Sequence, residues 1–141
     1  LDPVVRRDIL GAIIRTIADE GRTVLFSSHL LDEVERVADR IAILHQGRIQ
    51  LCAPMEQVRS DHKRVQLRLA RAVSHFPSGG IWITGEGSGD TWSMVAEANI
   101  ESIQEASTRI QAEILSIEPM NLDDIFVART AGKTLVAGVQ S

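Results

Sequence analysis

The chain has 141 residues, which is enough for one ordinary domain or two very small ones. Hydrophobic residues make up 44% and charged residues 24%, the balance of a globular protein. The formal net charge of −4 argues against a nucleic-acid partner, and no apolar run approaches the ~20 residues of a membrane-spanning helix.

The first half predicts helices that alternate with strands. Asp2 has the character of a helix cap, and apolar residues then recur every fourth position until Gly21. The predicted elements are a helix from Pro3 to the turn at Gly21, a buried parallel strand Thr23–Phe26, a short helix Leu30–Ala38, a strand Ile41–Leu44, a turn at Gln46-Gly47, a hairpin strand Arg48–Cys52 and a short helix Met55–Ser60.

The second half predicts a small α/β unit. Its elements are a strand Arg64–Leu69, a hairpin of Ile81–Thr84 with Thr91–Val95, a helix Ile100–Ala112, a strand Ile114–Ile117 and a last helix capped by Asn121. If the connection over residues 72–77 is helical, this order is the split βαβ, ferredoxin-like arrangement.

A polar, turn-rich stretch from Ala53 to Lys63 predicts a seam between two units. We therefore divide the chain into residues 1–60, residues 61–131 and a tail over residues 132–141.

Polar side chains follow the first predicted strand at Ser27, Ser28 and His29. Open α/β folds bind ligands at the carboxyl edge of their parallel sheets, where an imidazole can contact a phosphate or orient a water. A capped turn with a satisfied histidine accounts for the same residues. Position alone leaves both interpretations open.

A longer pattern around His29 favours a phosphate-related role. The string runs Ser28-His29-Leu30-Leu31-Asp32-Glu33-Val34-Glu35, continues through Ala38-Asp39-Arg40-Ile41-Ala42-Ile43-Leu44 and ends in Gln46-Gly47-Arg48-Ile49. It resembles the switch-histidine region of ABC transporter ATPases. Leu1-Asp2-Pro3 is similar to the end of their D-loop, so the resemblance covers residues 1 to about 60 in order and spacing.

The resemblance implies roles for particular residues. His29 matches the switch histidine, which contacts the γ-phosphate and helps to position the attacking water; this makes it both the catalytic and the nucleotide-contacting candidate. Asp2 matches the acid at the interface between two ATPase subunits. The pair Asp39-Arg40 matches a recurrent pair whose role we interpret as structural. In the intact subunit the resemblance implies ATP and Mg²⁺ as cofactors.

The end of the chain resembles one branch of this family. Ile117-Glu118-Pro119-Met120-Asn121-Leu122-Asp123-Asp124-Ile125-Phe126 is similar to the ending of ATP-binding subunits of exporters, which carry a small accessory domain after the ATPase core. Helix capping by Asn121 also explains this segment. The implied fold is α/β, the C-terminal part of a P-loop NTPase-like ABC ATPase core followed by a small α/β accessory domain.

The phosphate-loop pattern G-x-x-x-x-G-K-[ST] is absent from the sequence. In the family this loop, the signature motif and the Walker B acids precede the D-loop. We therefore interpret the chain as the C-terminal portion of a longer ATP-binding subunit and expect it to be inactive alone. The implied partners are a second ATP-binding subunit and transmembrane export subunits, with a cytoplasmic location on the inner face of the cell membrane.

Other residues have simpler explanations. The remaining histidines, His45, His62 and His75, show no metal-ligand spacing with one another or with Cys52, so we expect no metal site. Cys52 is expected to be a small core residue.

Trp82 and Trp92 lie on the two arms of the predicted hairpin. They predict a packed pair more than a stacking surface for a ligand. Two other functions stay open: a non-catalytic dimerisation or regulatory module, and a small-ligand-binding ferredoxin-like domain.

Overall fold

Helices and antiparallel sheets alternate along the chain in the computed structural model, which describes residues 2–76, 79–130 and 135–137. The elements are α1 (Pro3–Asp19), α2 (Leu31–Val37), β1 (Arg40–His45), β2 (Arg48–Pro54), α3 (Met55–Asp61), β3 (His62–Leu69), β4 (Trp82–Ser88), β5 (Thr91–Glu97), α4 (Ile100–Arg109), β6 (Ala112–Pro119), α5 (Leu122–Thr130) and β7 (Leu135–Ala137). They form a mixed α/β fold, in agreement with the predicted class.

Helix α1 begins where the sequence predicts. The Asp2 carboxylate accepts a hydrogen bond from the Val4 amide at 2.8 Å, and Pro3 occupies the first helical position, where no donor is needed. Gly21 ends the segment with a φ of 77°, in the left-handed region that favours glycine. The apolar stripe of α1 is only partly covered, since Ile9 and Ile13 are 46% and 51% exposed.

The predicted parallel strand Thr23–Phe26 is wrong for the described structure. These residues form no regular secondary structure and pair with no described strand, and Leu25 is 97% exposed. A parallel strand needs neighbours that take up its amide and carbonyl groups. Among the described residues the strands lie in two other sheets, so the segment has neither a ladder partner nor a covered face.

The hairpin β1–β2 follows its turn chemistry. Gln46 and Gly47 have φ angles of 52° and 74°, and two positive φ values are the mark of the turn that fits a twisted hairpin. The strands pair antiparallel from Arg40 and Pro54 to His45 and Arg48. This confirms the predicted turn.

The five-stranded sheet has the order β6-β3-β5-β4-β7. Strand β5 is antiparallel to both β3 and β4, so β3 and β4 run in the same direction with β5 between them, as in a split βαβ unit. That arrangement was conditional on a helix over residues 72–77; residues 72–76 are not helical, and residue 77 lies outside the described residues. The ferredoxin-like assignment depended on that helix and is not confirmed.

The predicted tail falls partly on described residues. Residues 135–137 form β7, which pairs parallel to β4, whereas residues 132–134 and 138–141 lie outside the described residues.

Two apolar clusters hold the elements together. The sheet core lies between α4 and one face of the large sheet, and its largest fully buried side chains are Trp92, Leu67, Met94 and Ile103. The hairpin core joins the β1–β2 hairpin and α3 to α5 and to Val95 of β5. Because the hairpin core takes residues from both sides of position 60, α5 packs against the first half of the chain. The division into three segments stays a prediction.

The close contact between the backbones of β4 and β5 at Gly87 can be tested by substitution. A Cβ there would lie 2.5 Å from the Thr91 carbonyl oxygen and 2.8 Å from the Trp92 Cα, both of them backbone atoms. We expect Gly87→Ala to lower the free energy of unfolding by about 1–3 kcal/mol in urea titrations. The exposed neighbour provides the control, since Ser88→Ala should change it by less than about 0.5 kcal/mol. Equal stability of the two variants would show that the strands separate at little cost.

Candidate functional site

His29 lies in the bend immediately before α2, and its side chain is exposed. The preceding Ser28 hydroxyl accepts a hydrogen bond from the Leu30 amide at 3.0 Å, which fixes the backbone at this bend. The observed geometry therefore includes the capped turn, with the imidazole left open to solvent.

His29 lines a surface cavity of about 360 Å³ between α1 and α2. Its lining includes both apolar and polar residues: Arg6, Leu10, Phe26, Ser27, Ser28, His29, Leu30 and Glu33. Of these residues, the sequence predicted only Ser27, Ser28 and His29 at a binding edge, and no local pattern indicated that Arg6 and Leu10 of α1 would lie beside them.

Two ion pairs connect α1 to α2 beside this cavity. Arg7 contacts Asp32 at 2.7 Å, and Arg6 lies 3.9 Å from Glu33. The Glu33 side chain is only 6% exposed. A buried carboxylate is costly without a nearby cation, and Arg6 supplies one from α1; the shorter Arg7–Asp32 pair adds a second link between the two helices.

Helix α2 is also held from its other end. The Arg59 guanidinium of α3 donates to the Glu35 carbonyl at 2.7 Å and pairs with the Glu35 carboxylate at 3.3 Å. In addition, the Asp39 carbonyl accepts from the Met55 amide at 2.8 Å, which joins the entry of β1 to the start of α3. The segment that follows His29 is thus positioned by α1 and α3 together.

Asp2, the predicted interface acid, is the cap of α1 and is exposed. Its carboxylate has a local structural task in this chain, satisfying one of the amides that a helix leaves free at its start. An interface role stays a prediction.

The structure contradicts the prediction for Cys52 and supports the prediction for the tryptophan pair. Cys52 is exposed on β2, so the expected core position is wrong. In contrast, Trp92 is fully buried and Trp82 is 9% exposed. Both indoles lie 5.6 Å from the Phe76 ring, and the Trp92 indole donates to the Gly89 carbonyl at 3.2 Å. The pair is packed and offers no open stacking surface for a ligand.

Across the described ranges, no group of three or more His, Cys, Asp or Glu side chains is arranged to hold a metal ion. None of the helices in those ranges has the length and apolar character required to cross a bilayer.

A polar cluster at His62 was missed by the sequence analysis. The ring is 1% exposed; its Nδ1 lies 2.7 Å from the Val58 carbonyl and its Nε2 lies 2.9 Å from the Arg129 guanidinium, which also pairs with Glu97. Arg129 stands 67 positions away in the sequence, so no local pattern predicts this contact.

Burial of the His62 ring lowers its pKa from the ordinary value of 6.5. The hydrogen bond to Val58 and the carboxylates of Glu97 and Asp61 act on the pKa in the opposite direction, and the Arg129 charge adds to the lowering.

Comparisons with curated proteins give ABC transporter ATP-binding proteins over most of this chain, whereas no protein-family model matches it. The ABC transporter ATP-binding protein YtrB of Bacillus subtilis is 20% identical over 94% of this chain and 46% of its own length. The daunorubicin/doxorubicin resistance ATP-binding protein DrrA of Streptomyces peucetius is 28% identical over 92% of this chain and 43% of its own length.

A shorter match has higher identity. The trimethylamine N-oxide transport system ATP-binding protein TmoW of Ruegeria pomeroyi is 40% identical over 41% of this chain and 17% of its own length. The chain thus spans about half or less of the length of these relatives. The comparisons confirm the resemblance to ABC transporter ATP-binding proteins, and the exporter branch and the roles of His29 and Asp2 stay predictions.

The capping role of Asp2 can be measured on this chain. We expect Asp2→Ala to lower the free energy of unfolding by about 1 kcal/mol, because the Val4 amide loses its acceptor. Asp2→Asn should preserve the stability, since its amide oxygen accepts the same bond. Asp8→Ala, an exposed change within α1, is the control and should cost nothing. A stable Asp2→Ala variant would show that the cap does not support the helix.

Proposed function

We propose that this chain acts as the C-terminal portion of an ABC transporter ATP-binding subunit, with His29 as its switch histidine. The observation that carries the proposal is the similarity to YtrB and DrrA over 94% and 92% of the chain. The exposed position of His29 at a fixed bend agrees with it, because a switch residue must reach a ligand from a defined backbone.

The residues at the bend fit one edge of a nucleotide phosphate. An imidazole can donate a hydrogen bond to a phosphate oxygen, and the Ser27 side chain lines the same cavity. Phosphoryl transfer depends on positioning and on charge stabilisation more than on covalent chemistry. When bound, Mg²⁺ supplies the charge stabilisation at the phosphates, and His29 contributes orientation of the γ-phosphate and of the attacking water.

The ion pairs between α1 and α2 are consistent with a switch role for His29. Because Arg7 and Asp32 join α1 to α2, a displacement of α1 would move the bend that carries the imidazole. In the intact subunit, Asp2 at the start of α1 faces a second ATP-binding subunit. The same helix would then relate the interface to the switch histidine.

Export is the direction of transport that we propose. DrrA, a resistance protein by name, matches over 92% of this chain, whereas the ribose import protein RbsA 3 of Rubrobacter xylanophilus matches over 48%. The portion shared with DrrA includes the second half of the chain, which we assign to the accessory domain of residues 61–131. The subunit would work on the cytoplasmic face of the membrane with transmembrane export subunits.

Exposed apolar groups support a place within a larger core. Ile9 and Ile13 of α1 are about half exposed, and Leu25 in the unpaired segment 23–26 is 97% exposed. Further strands of an ATPase sheet would cover both surfaces and complete the ladder that residues 23–26 lack here.

The role of His29 is tested in an ATP-binding subunit that contains this segment. His29→Ala should lower kcat by about 10²-fold or more, because it removes a group that acts in the transition state. Nucleotide affinity should change little. His45→Ala, a change in the neighbouring hairpin, is the control and should leave turnover unaltered. Equal losses of binding and turnover would contradict the switch role.

ATP binding by the 141-residue chain alone is the second test. A charge-assisted hydrogen bond from His29 is worth roughly 1.5–3 kcal/mol. Even a millimolar complex needs about 4 kcal/mol. We therefore expect no measurable heat in calorimetric titrations with MgATP. Micromolar affinity that is lost in His29→Ala would show that the chain holds a nucleotide site of its own.

A further inference from the structure

Three side chains from separate elements meet at the end of α5. His62 opens β3, Glu97 closes β5 and Arg129 lies in the last turn of α5; we name them the His62 clamp. The Arg129 guanidinium donates to His62 Nε2 through its Nη2 at 2.9 Å and its Nε at 3.2 Å, and it also pairs with Glu97. The His62 ring is 1% exposed and the Arg129 side chain 16%, so their contact is shielded from water, whereas the Glu97 side chain is 44% exposed and reaches solvent.

The partners of the ring determine its protonation state. The Val58 carbonyl can only accept, so His62 Nδ1, at 2.7 Å, must carry a hydrogen. The Arg129 guanidinium can only donate, so Nε2 must present its lone pair. The clamp therefore requires the neutral ring with its proton on Nδ1.

Protonation of Nε2 would turn the acceptor into a donor that points at another donor. It would also place two cations in contact inside a shielded site. The charged groups around the ring are Arg129 on α5, Glu97 on β5 and Asp61 at the end of α3. The two carboxylates favour a charged ring, but neither replaces the hydrogen bond that Arg129 would lose.

The clamp lies where α5 meets the large sheet. Helix α5 buries Leu122, Ile125 and, in its last turn, Ala128 in the hairpin core, away from the sheet core on the opposite face. Among the described side-chain contacts, the hydrogen bonds and ion pair of Arg129 tie the last turn of α5 to β3 and β5.

We propose that the His62 clamp is a protonation-sensitive latch: a proton on His62 Nε2 expels Arg129 and frees the last turn of α5 from the sheet. The latch is closed at neutral pH and opens as the solution becomes acidic. This property belongs to the chain itself and does not depend on the transport role.

The same chemistry determines how the free energy of unfolding changes with pH. The pKa of His62 is lower in the folded chain than its ordinary value of 6.5, so the unfolded chain binds more protons as the pH falls below that value. The free energy of unfolding therefore has its full His62 contribution above that pH. It loses this contribution as the pH falls through 6.5 towards the folded pKa.

Amide hydrogen exchange on the full 141-residue chain tests the latch. We compare residues 126–130 at about pH 7.5 and about pH 5, after correction for the intrinsic exchange rates. At the lower pH the protection of these amides should fall by about tenfold, because the net contribution of about one hydrogen bond is lost when Arg129 leaves His62. The amides of α4, which lies on the opposite face, provide the internal reference.

Two variants separate the latch from general acid effects. His62→Gln keeps an acceptor that does not titrate, so the protection of α5 should be the same at both pH values. His75→Gln removes an exposed histidine and should behave like the wild type. An equal acid loss in His62→Gln, or unchanged protection in the wild type, would overturn the proposal.

The wild type offers a second measurement if His62→Gln does not fold. Long-range ¹⁵N–¹H spectra should show the hydrogen on Nδ1 at neutral pH, and the ring should gain its second proton over the same pH range in which α5 loosens. A hydrogen on Nε2 at neutral pH, or loosening outside that range, would overturn the latch.

Discussion

The packing of α5 against the hairpin core is the constraint on which the rest of the structure depends. Leu122 and Ile125 are fully buried there, and each is worth about 1.5–3 kcal/mol on the usual scale for buried aliphatic side chains. Their partners come from β1, β2 and α3, all before the large sheet in the sequence. The last helix therefore closes the chain back onto its beginning, and Val95 of β5 packs into the same cluster.

The packing of α5 against the hairpin core also determines which elements surround the segment around His29. Helix α2 packs beside the hairpin core through Leu31 and Val34, while its charged side chains reach α1 and α3. The exposed imidazole thus stands at the bend that leads into a short helix, and that helix is held by α1 and α3. A side chain that must meet a phosphate at a defined place benefits from such support, because its backbone is fixed before the ligand arrives.

Local chemistry predicted much of the fold. The cap at Asp2, the turn at Gln46-Gly47 and the cap at Asn121 depend on neighbouring residues, and each was confirmed. Thr23–Phe26 was misjudged because an apolar run shows that a strand is possible, whereas its pairing depends on other strands.

Less of the candidate site could be predicted from the sequence alone. The switch-histidine pattern pointed to His29, but the approach of Arg6 and the burial of Glu33 depend on how α1 folds back. His62 was dismissed as one of several scattered histidines. Its partner Arg129 comes from a distant helix, and only the tertiary fold brings the two together.

The unpaired segment 23–26 has a consequence for the behaviour of the chain in concentrated solution. Its amide and carbonyl groups find no described strand, and the Leu25 side chain is almost fully exposed to solvent. Such an edge is a template for another extended chain, and an adjacent apolar surface strengthens the contact. Self-association of this chain would therefore begin at residues 23–26, and a lysine in place of Leu25 would suppress it at little cost to the fold.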